Sequence, residues 1–505
     1  MELINTFMTW ILKNRIGQIE KFKNNPLETQ REILFKLIHT AKKTEFGKKY
    51  NFEKISAYED YNQWVPVHDY EALKPYIEQT MKGQQNVIWP TPIHWFSKSS
   101  GTTSSRSKFI PVSPESLEDC HFKGGKDMLS LYINNYPDTK LFTGKSLTIG
   151  GSLQTNNLDY NDNSFSGDIS AVIMRNLPKW AQMARTPSLE VALMSEWEKK
   201  IDKMADETLK ENVTSLTGVP TWTLVLIKKV LEKTNSKNIL EIWPNLEVFF
   251  HGAVAFGPYK NIFESLIPSP NMHYMETYNA SEGFFGIKDQ KDSDELLLML
   301  DYGIFYEFIP MEDIERKHPN IIPLDKVEKG KNYAILISTN AGLWRYKIGD
   351  TVKFTSTDPY RIKISGRTKH FINAFGEELI VENAEKAMEI TCKATGSTIS
   401  NFTAAPVYFD KNHEQGTHEW VIEFVKFPKD KDEFLHRLDQ ELRNVNSDYE
   451  AKRYKDMVLK LPILHFASEG IFEKWLKSKG RLGGQNKVPR LSNNREYIEE
   501  VLKLL

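Results

Sequence analysis

Apolar residues recur every three or four positions through much of the first 240 residues and gather into short runs after that. The three-to-four spacing predicts helices over 28–43, 113–135 and 188–210. A further helix is predicted over 221–234, where Leu224, Ile227, Val230 and Leu231 share one face behind Pro220. Leu3, Phe7, Trp10, Ile11 and Ile16 form one helical stripe near the N-terminus, expected to dock on the protein's own body. Short apolar runs at 146–149, 246–250 and 272–275 read as strands between these helices. Strands that alternate with helices predict an α/β domain with mostly parallel sheets.

The pattern changes at 295–364. Runs at 296–300, 304–309, 333–338, 343–348 and 361–364 are strand-like and separated by turn residues, which predicts an antiparallel, β-barrel-like subregion. From about 370 the pattern resets. Helices are predicted at 381–393, 431–445 and 472–477, with strands at 405–409, 420–427 and 463–466. That is enough for a small α+β domain. The expected organisation is a large domain over 1–368 and a small C-terminal domain over 369–505.

Composition narrows the class. A chain of 505 residues exceeds what one core normally serves. Lys and Arg number 66 against 67 Asp and Glu, so bulk charge gives no argument for nucleic acid or an anionic membrane. Only Cys120 and Cys392 occur, far apart and outside any metal-ligand spacing, so neither a disulfide framework nor a zinc site is expected. No apolar run approaches a membrane span, and the N-terminus lacks a basic stretch before its apolar residues. A cytoplasmic protein is expected.

Four segments carry candidate chemistry. In Ser97-Lys98-Ser99-Ser100-Gly101-Thr102-Thr103-Ser104-Ser105-Arg106, hydroxyls and cations surround one glycine between two apolar runs. Such a turn can wrap polyphosphate through backbone N–H groups, hydroxyls and positive charge. It lacks the Gly-Lys-Ser/Thr of a Walker A loop, and alone it also suits a solvated polar loop. In the second segment, Phe250-His251-Gly252-Ala253 closes one strand and Tyr278-Asn279-Ala280-Ser281-Glu282-Gly283 follows another. Small residues there let a flat base approach the backbone, and Glu282 offers a carboxylate suited to Mg²⁺ beside phosphate. The third is Trp344-Arg345-Tyr346-Lys347-Ile348-Gly349-Asp350, whose aspartate can accept bonds from ribose hydroxyls. The fourth, Gly366-Arg367-Thr368-Lys369, falls at the expected domain boundary.

In this order the segments resemble the adenylate-forming superfamily of acyl-CoA synthetases, firefly luciferase and peptide-synthetase adenylation domains. Within it the chain most resembles the Gretchen Hagen family of auxin-responsive acyl-acid amido synthetases. The resemblance rests on Ser99 to Thr103, Tyr278 to Glu282, Trp344 to Asp350, the turn Gly218-Val219-Pro220-Thr221-Trp222, and Gln485-Asn486-Lys487-Val488-Pro489-Arg490. It spans roughly 95–490. Trp344 and Lys347 stand where that family has Tyr and Arg.

The resemblance implies the following roles. Ser99, Ser100, Gly101, Thr102 and Thr103 hold phosphate; Gly252 and Ala253 wall the adenine; Tyr278, Ala280 and Ser281 also contact the nucleotide. Asp350 grips ribose and Arg367 sits near ribose or phosphate. Glu282 places Mg²⁺ and acts with Lys487, the mobile cation that bridges carboxylate and α-phosphate. Lys369 is the hinge. Trp222, Phe284 and Phe285 line the acyl pocket. The implied activity consumes ATP to make an acyl-adenylate from a small carboxylic acid, then passes the acyl group to an amino acid. Two alternatives stay open: an acyl-CoA or aryl-CoA ligase with the same first step, and a non-catalytic nucleotide-binding module. Acyl acid, acceptor and oligomeric state are not specified.

Overall fold

A computed structural model describes residues 2–100, 107–154, 163–314, 316, 318–367, 371–409, 415–479 and 488–505. The chain forms two compact units. One comprises Met1–Ser99, Phe109–Ala253 and Glu264–Thr368; the other comprises Ser100–Lys108, Val254–Phe263 and Lys369–Leu505.

The first unit is built on a sheet with twelve strands among the described residues. They are β1 (Lys145–Thr148), β2 (Arg185–Thr186), β3 (Val213–Gly218), β4 (Val248–His251), β5 (His273–Ala280), β6 (Gly283–Lys288), β7 (Leu296–Leu298), β8 (Ile304–Pro310), β9 (Ile322–Pro323), β10 (Asn332–Thr339), β11 (Tyr346–Thr357) and β12 (Tyr360–Arg367). Their spatial order is β9-β8-β10-β11-β12-β7-β6-β5-β4-β3-β1-β2. Strands β2, β1, β3, β4 and β5 pair in parallel. From β5 onward every neighbour pair among the described residues runs antiparallel. The sheet is therefore mixed, which corrects the mostly parallel arrangement expected. The helix Pro220–Thr234 returns the chain from β3 to its parallel neighbour β4. Tight turns join β5 to β6 and β11 to β12 and make them antiparallel. The strands expected to form a barrel-like subregion continue the same sheet.

Strand composition follows burial. All four residues of β4 are buried, as are seven of the eight in β10, and both read as near-continuous apolar runs. A smaller sheet contains Trp95–Ser100, which pairs in parallel with Phe165–Gly167.

Several elements depart from the pattern reading. The helix expected over 188–210 is two, Leu189–Ala192 and Trp197–Thr208. The helix expected over 113–135 contains a π-helical segment, Leu117–Phe122, before the α-helix Lys123–Asn135. The strand expected from 343 begins only at Tyr346, because Arg345 takes a left-handed φ of 43° that no strand accommodates. That arginine is 2 % exposed and its fork spends all its donors inside the protein. Nε and Nη2 donate to the two oxygens of Glu307 at 2.8 Å each, Nη1 to the carbonyls of Asn62 and Val65, and Nη2 also to Asn62 Oδ1. At the N-terminus, the helix Glu2–Lys13 buries Leu12 but leaves Trp10 and Ile11 of the expected stripe exposed.

The second unit carries a sheet of Thr398–Val407, Thr417–Lys426 and Ile463–Ser468, with the first pair antiparallel and the second parallel. The helices Val381–Thr395 and Lys431–Val445 complete the α+β pattern. Glu377 and His418 form a buried pair at 2.8 Å. Glu377 also accepts the backbone N–H groups of Ala374 and Phe375, so the carboxylate organises its own turn.

Candidate active site

The first unit brings residues of all four sequence segments together around its central strands. Ala280 pairs with Gly283, leaving Ser281 and Glu282 as the two-residue turn between β5 and β6. Glu282 is half-buried in that turn. Ser97, in the strand that leads into the hydroxyl-rich loop, donates from Oγ to Ser281 Oγ at 2.8 Å. The turn and the base of the loop are thus tied by a bond between residues 184 apart in sequence.

Strand alternation decides what flanks this turn. Tyr278 and Asn279 point to opposite faces of β5. On one face, the Tyr278 hydroxyl donates to Asp350 Oδ2 at 2.6 Å, with both residues buried. Asp350 reaches that position through a bulge in β11. The register against β10 shifts between Ala334 and Leu336, and Gly349 takes a φ of 98° that favours glycine. The backbone partner of Asp350 on β12 is Arg367, so the third and fourth segments meet across one strand pair.

Gly252 follows β4. A side chain there would run into the backbone oxygen of Thr277, whose hydroxyl donates to His251 O at 3.2 Å. The neighbouring strand itself therefore requires the glycine. Ala253 holds a φ of 70°, a conformation costly for a residue with Cβ.

The expected pocket residues are all buried. Phe285 is fully buried, its ring 4.8 Å from Tyr278, and it occupies a register shift between Phe284 and Gly286. Phe284 packs against Gly124, and its N–H points to Cys120 Sγ at 3.1 Å. Burial pushes the Cys120 thiol up to about 12, so it is no nucleophile. Trp222 stacks on Trp197 with ring centres 3.8 Å apart. Lys200 sits 4.5 Å above Trp197 and donates to the carbonyls of Gly150 and Gly151. Burial lowers the Lys200 pKa to about 8.

Ser99 lies in Trp95–Ser100, and Ser100 ends it. Gly101, Thr102, Thr103, Lys369 and Lys487 lie outside the described residues, as does the side chain of Arg367. Sequence reasoning did not single out Ser97 as a site residue or mark His121, which packs beside Asn279. Ser97 is one hydroxyl among many in its loop. A single histidine within a helical segment of mixed polarity gives no local signal. Among the described residues, no group of three or more His, Cys, Asp or Glu side chains could hold a metal ion. A Mg²⁺ held by one carboxylate and substrate phosphates needs no such cage. No described helix is long and apolar enough to cross a membrane.

An Asp350→Ala variant tests whether Asp350 holds ribose, as expected from the sequence. Losing charge-assisted bonds to ribose costs about 1.5–3 kcal/mol, or roughly one to two decades in ATP affinity. Equal titration curves for variant and parent, or equal binding of a dideoxyribose ATP analogue by the parent, would remove Asp350 from the ribose site.

Comparison with known proteins places this geometry. Residues 15–272 match the GH3 family N-terminal domain, 297–367 the GH3 family central domain and 382–496 the GH3 family C-terminal domain. The chain is 22 % identical to the indole-3-acetic acid-amido synthetase GH3.3 of Arabidopsis thaliana, covering 94 % of this chain and 90 % of that protein. It is 22 % identical to the 4-substituted benzoates-glutamate ligase GH3.12 of Arabidopsis thaliana, covering 94 % of each. Among solved structures, the AtGH3.15 acyl acid amido synthetase in complex with 2,4-DB superposes with a TM-score of 0.62 at 17 % identity, covering 97 % of this chain and 96 % of that one. A 2-hydroxyisobutyryl-CoA ligase in complex with 2-HIB-AMP and CoA gives a TM-score of 0.58 at 12 % identity, covering 94 % and 92 %.

Proposed function

Because the chain belongs to the GH3 family, we propose that it is an ATP-dependent acid-amido synthetase. It activates a small carboxylic acid as an acyl-adenylate and transfers the acyl group to the amine of an amino acid. The observation that carries this reading is the turn Ser281-Glu282, tied to Ser97 and flanked by the bonded pair Tyr278 and Asp350. These two bonds tie Ser97, the strand end at Tyr278 and Ser281, and Asp350 to one another across about 250 residues of sequence, which supports a shared nucleotide site.

A carboxylate is a poor electrophile. Attack of one of its oxygens on the α-phosphorus of ATP breaks the bond to pyrophosphate, which leaves with the electron pair. The transition state concentrates negative charge on phosphoryl oxygens, so catalysis is positioning and charge stabilisation. Ser99 to Thr103 hold phosphate through hydroxyls and backbone N–H groups. Gly252 and Ala253 wall the adenine, Ala280 and Ser281 line the nucleotide at the turn, and Arg367 serves ribose or phosphate. Asp350, oriented by Tyr278, holds the ribose. Glu282 would help hold Mg²⁺, which when bound would supply charge neutralisation. Lys487 bridges the acid and the α-phosphate during adenylation.

The amine then attacks the acyl carbon and AMP leaves. Residues 369–505 act as a mobile domain, with Lys369 as the hinge that exchanges the surfaces serving the two steps. Trp222, Phe284 and Phe285 belong to the acyl side of the site.

Exchange of labelled pyrophosphate into ATP tests the reading. It is expected to require both a carboxylic acid and Mg²⁺. A folded preparation that binds no ATP and exchanges nothing across a broad acid panel would refute it, and phosphate release would indicate an acyl-phosphate instead. Product mass after addition of amino acids or CoA separates an amide from a thioester.

A further inference from the structure

The face of β5 opposite Tyr278 carries a polar pair, buried His121 and half-buried Asn279, to which the nucleotide reading assigns no role. His121 lies in the π-helical segment Leu117–Phe122 and is 4 % exposed. Among the described residues its Nδ1 has no hydrogen-bond partner. Asn279 stands beside the ring, yet no well-formed bond satisfies the pair, for Asn279 Oδ1 is also buried without a partner. Two unmet polar atoms in one buried spot are uncommon and call for an explanation. Single π-helical turns within helices are frequent at functional sites, because the extra residue redirects a side chain.

The surroundings hold the ring in place. The preceding residue, Cys120, receives the N–H of Phe284, which pairs with Asn279 across the two strands. Two residues on, Lys123 is bound to Asp301 at 2.6 Å. Burial outweighs the neighbouring amide and lowers the His121 pKa to about 4, so the imidazole is neutral near pH 7.

We propose that His121, beside Asn279, binds the carboxylate of the acyl acid and presents it to the α-phosphorus held at the Ser281-Glu282 turn. This rests on the ligase reading above. Alternation along β5 places Tyr278 and Asp350 on the nucleotide face and Asn279 and His121 on the other, so the two reactants meet at the turn from opposite sides. A neutral N–H donor suits this task. It orients the carboxylate but leaves its charge largely intact, which preserves its nucleophilicity; a cation in the same place would reduce it. No proton moves at His121 in the step.

The test is pyrophosphate exchange with benzoate, phenylacetate, indole-3-acetate and octanoate, continued with the acid that the parent exchanges fastest. His121→Leu is expected to raise KM for the acid by roughly one to two decades, as for loss of a hydrogen bond to a charged group. KM for ATP should stay within about twofold, the scatter of a change that leaves ATP binding untouched. His121→Asn, which keeps a donor, should recover most of the loss. Asn279→Asp should also raise KM for the acid, since it sets a second carboxylate against the first. An unchanged acid KM in His121→Leu, acid and ATP constants that move together, or an Asn variant no better than Leu would each overturn the assignment. Should the Leu variant not fold, unchanged acid KM in both His121→Asn and Asn279→Asp overturns it. A parent that exchanges no acid refutes the ligase reading and this one with it, whereas exchange indifferent to these substitutions refutes this one alone.

Discussion

Lys487→Ala is expected to slow acid-dependent pyrophosphate exchange by about 10²- to 10³-fold, the range seen when one preorganised charge-stabilising donor is lost. The reason is electrostatic. Adenylation brings an anionic carboxylate against an anionic triphosphate, and a bridging cation matters while both are present. Once the acyl-adenylate exists, pyrophosphate and its charge have left. Amide formation from a supplied acyl-adenylate should therefore keep most of the parent rate. Measuring the half-reactions separately decides the point. If the variant slows both steps equally with its fold intact, Lys487 is structural and the bridging role is wrong.

Arg345→Met is expected to cost about 3–5 kcal/mol of folding stability, the range for breaking a buried ion pair from one side. Arg345 and Glu307 are 2 % and 1 % exposed at the side chain, and the pair is bidentate. Without the guanidinium, Glu307 keeps a buried charge whose remaining donor is the Tyr58 hydroxyl at 2.8 Å. The loss is a large share of a typical total of about 5–15 kcal/mol. Removing both charges, as Arg345→Met with Glu307→Leu, should restore part of it, since the stranded charge is the main penalty. Denaturant unfolding of the two single variants and the double variant measures the coupling. An Arg345→Met midpoint equal to the parent's would show that the pair stabilises nothing. Asp350 lies five residues beyond Arg345, so ATP affinity should fall in the same variant.

Asp350 and Arg345 come from one seven-residue segment that sequence reading treated as a single motif. The structure divides its work. Trp344 and Arg345 anchor the segment, with the Trp344 ring stacked near Phe46 and Arg345 bound to Glu307. Gly349 and Asp350 form a bulge that brings Asp350 to the Tyr278 hydroxyl. A buried salt bridge between residues 38 apart leaves no local trace in either stretch of sequence.

The elements themselves were legible where periodicity was strong. The helix expected over 221–234 is Pro220–Thr234, and the one expected over 431–445 is Lys431–Val445. Their apolar residues repeat over several turns, and Pro220 marks a start by having no N–H to satisfy. The π-helical segment was not legible. Across six residues, apolar spacing does not distinguish an α-turn from a π-turn, and packing of Cys120 and Gly124 against Phe284 settles the backbone there. The mixed sheet was likewise hidden, because strand direction depends on how the connection closes rather than on the residues of either strand.

The sequence by itself determined the order of the chemical segments and which residue types they offer: hydroxyls around a glycine, a turn with a carboxylate, and a glycine before an aspartate. Local pattern suffices for these because each is a property of a few adjacent residues. Only the tertiary structure decided which of them meet. Ser97 reaches Ser281, Tyr278 reaches Asp350, and His121 comes beside Asn279 through folding of chain that lies far apart in sequence. Such contacts depend on strand register and on which face a side chain takes, and a shift of one residue would reverse every face of β5.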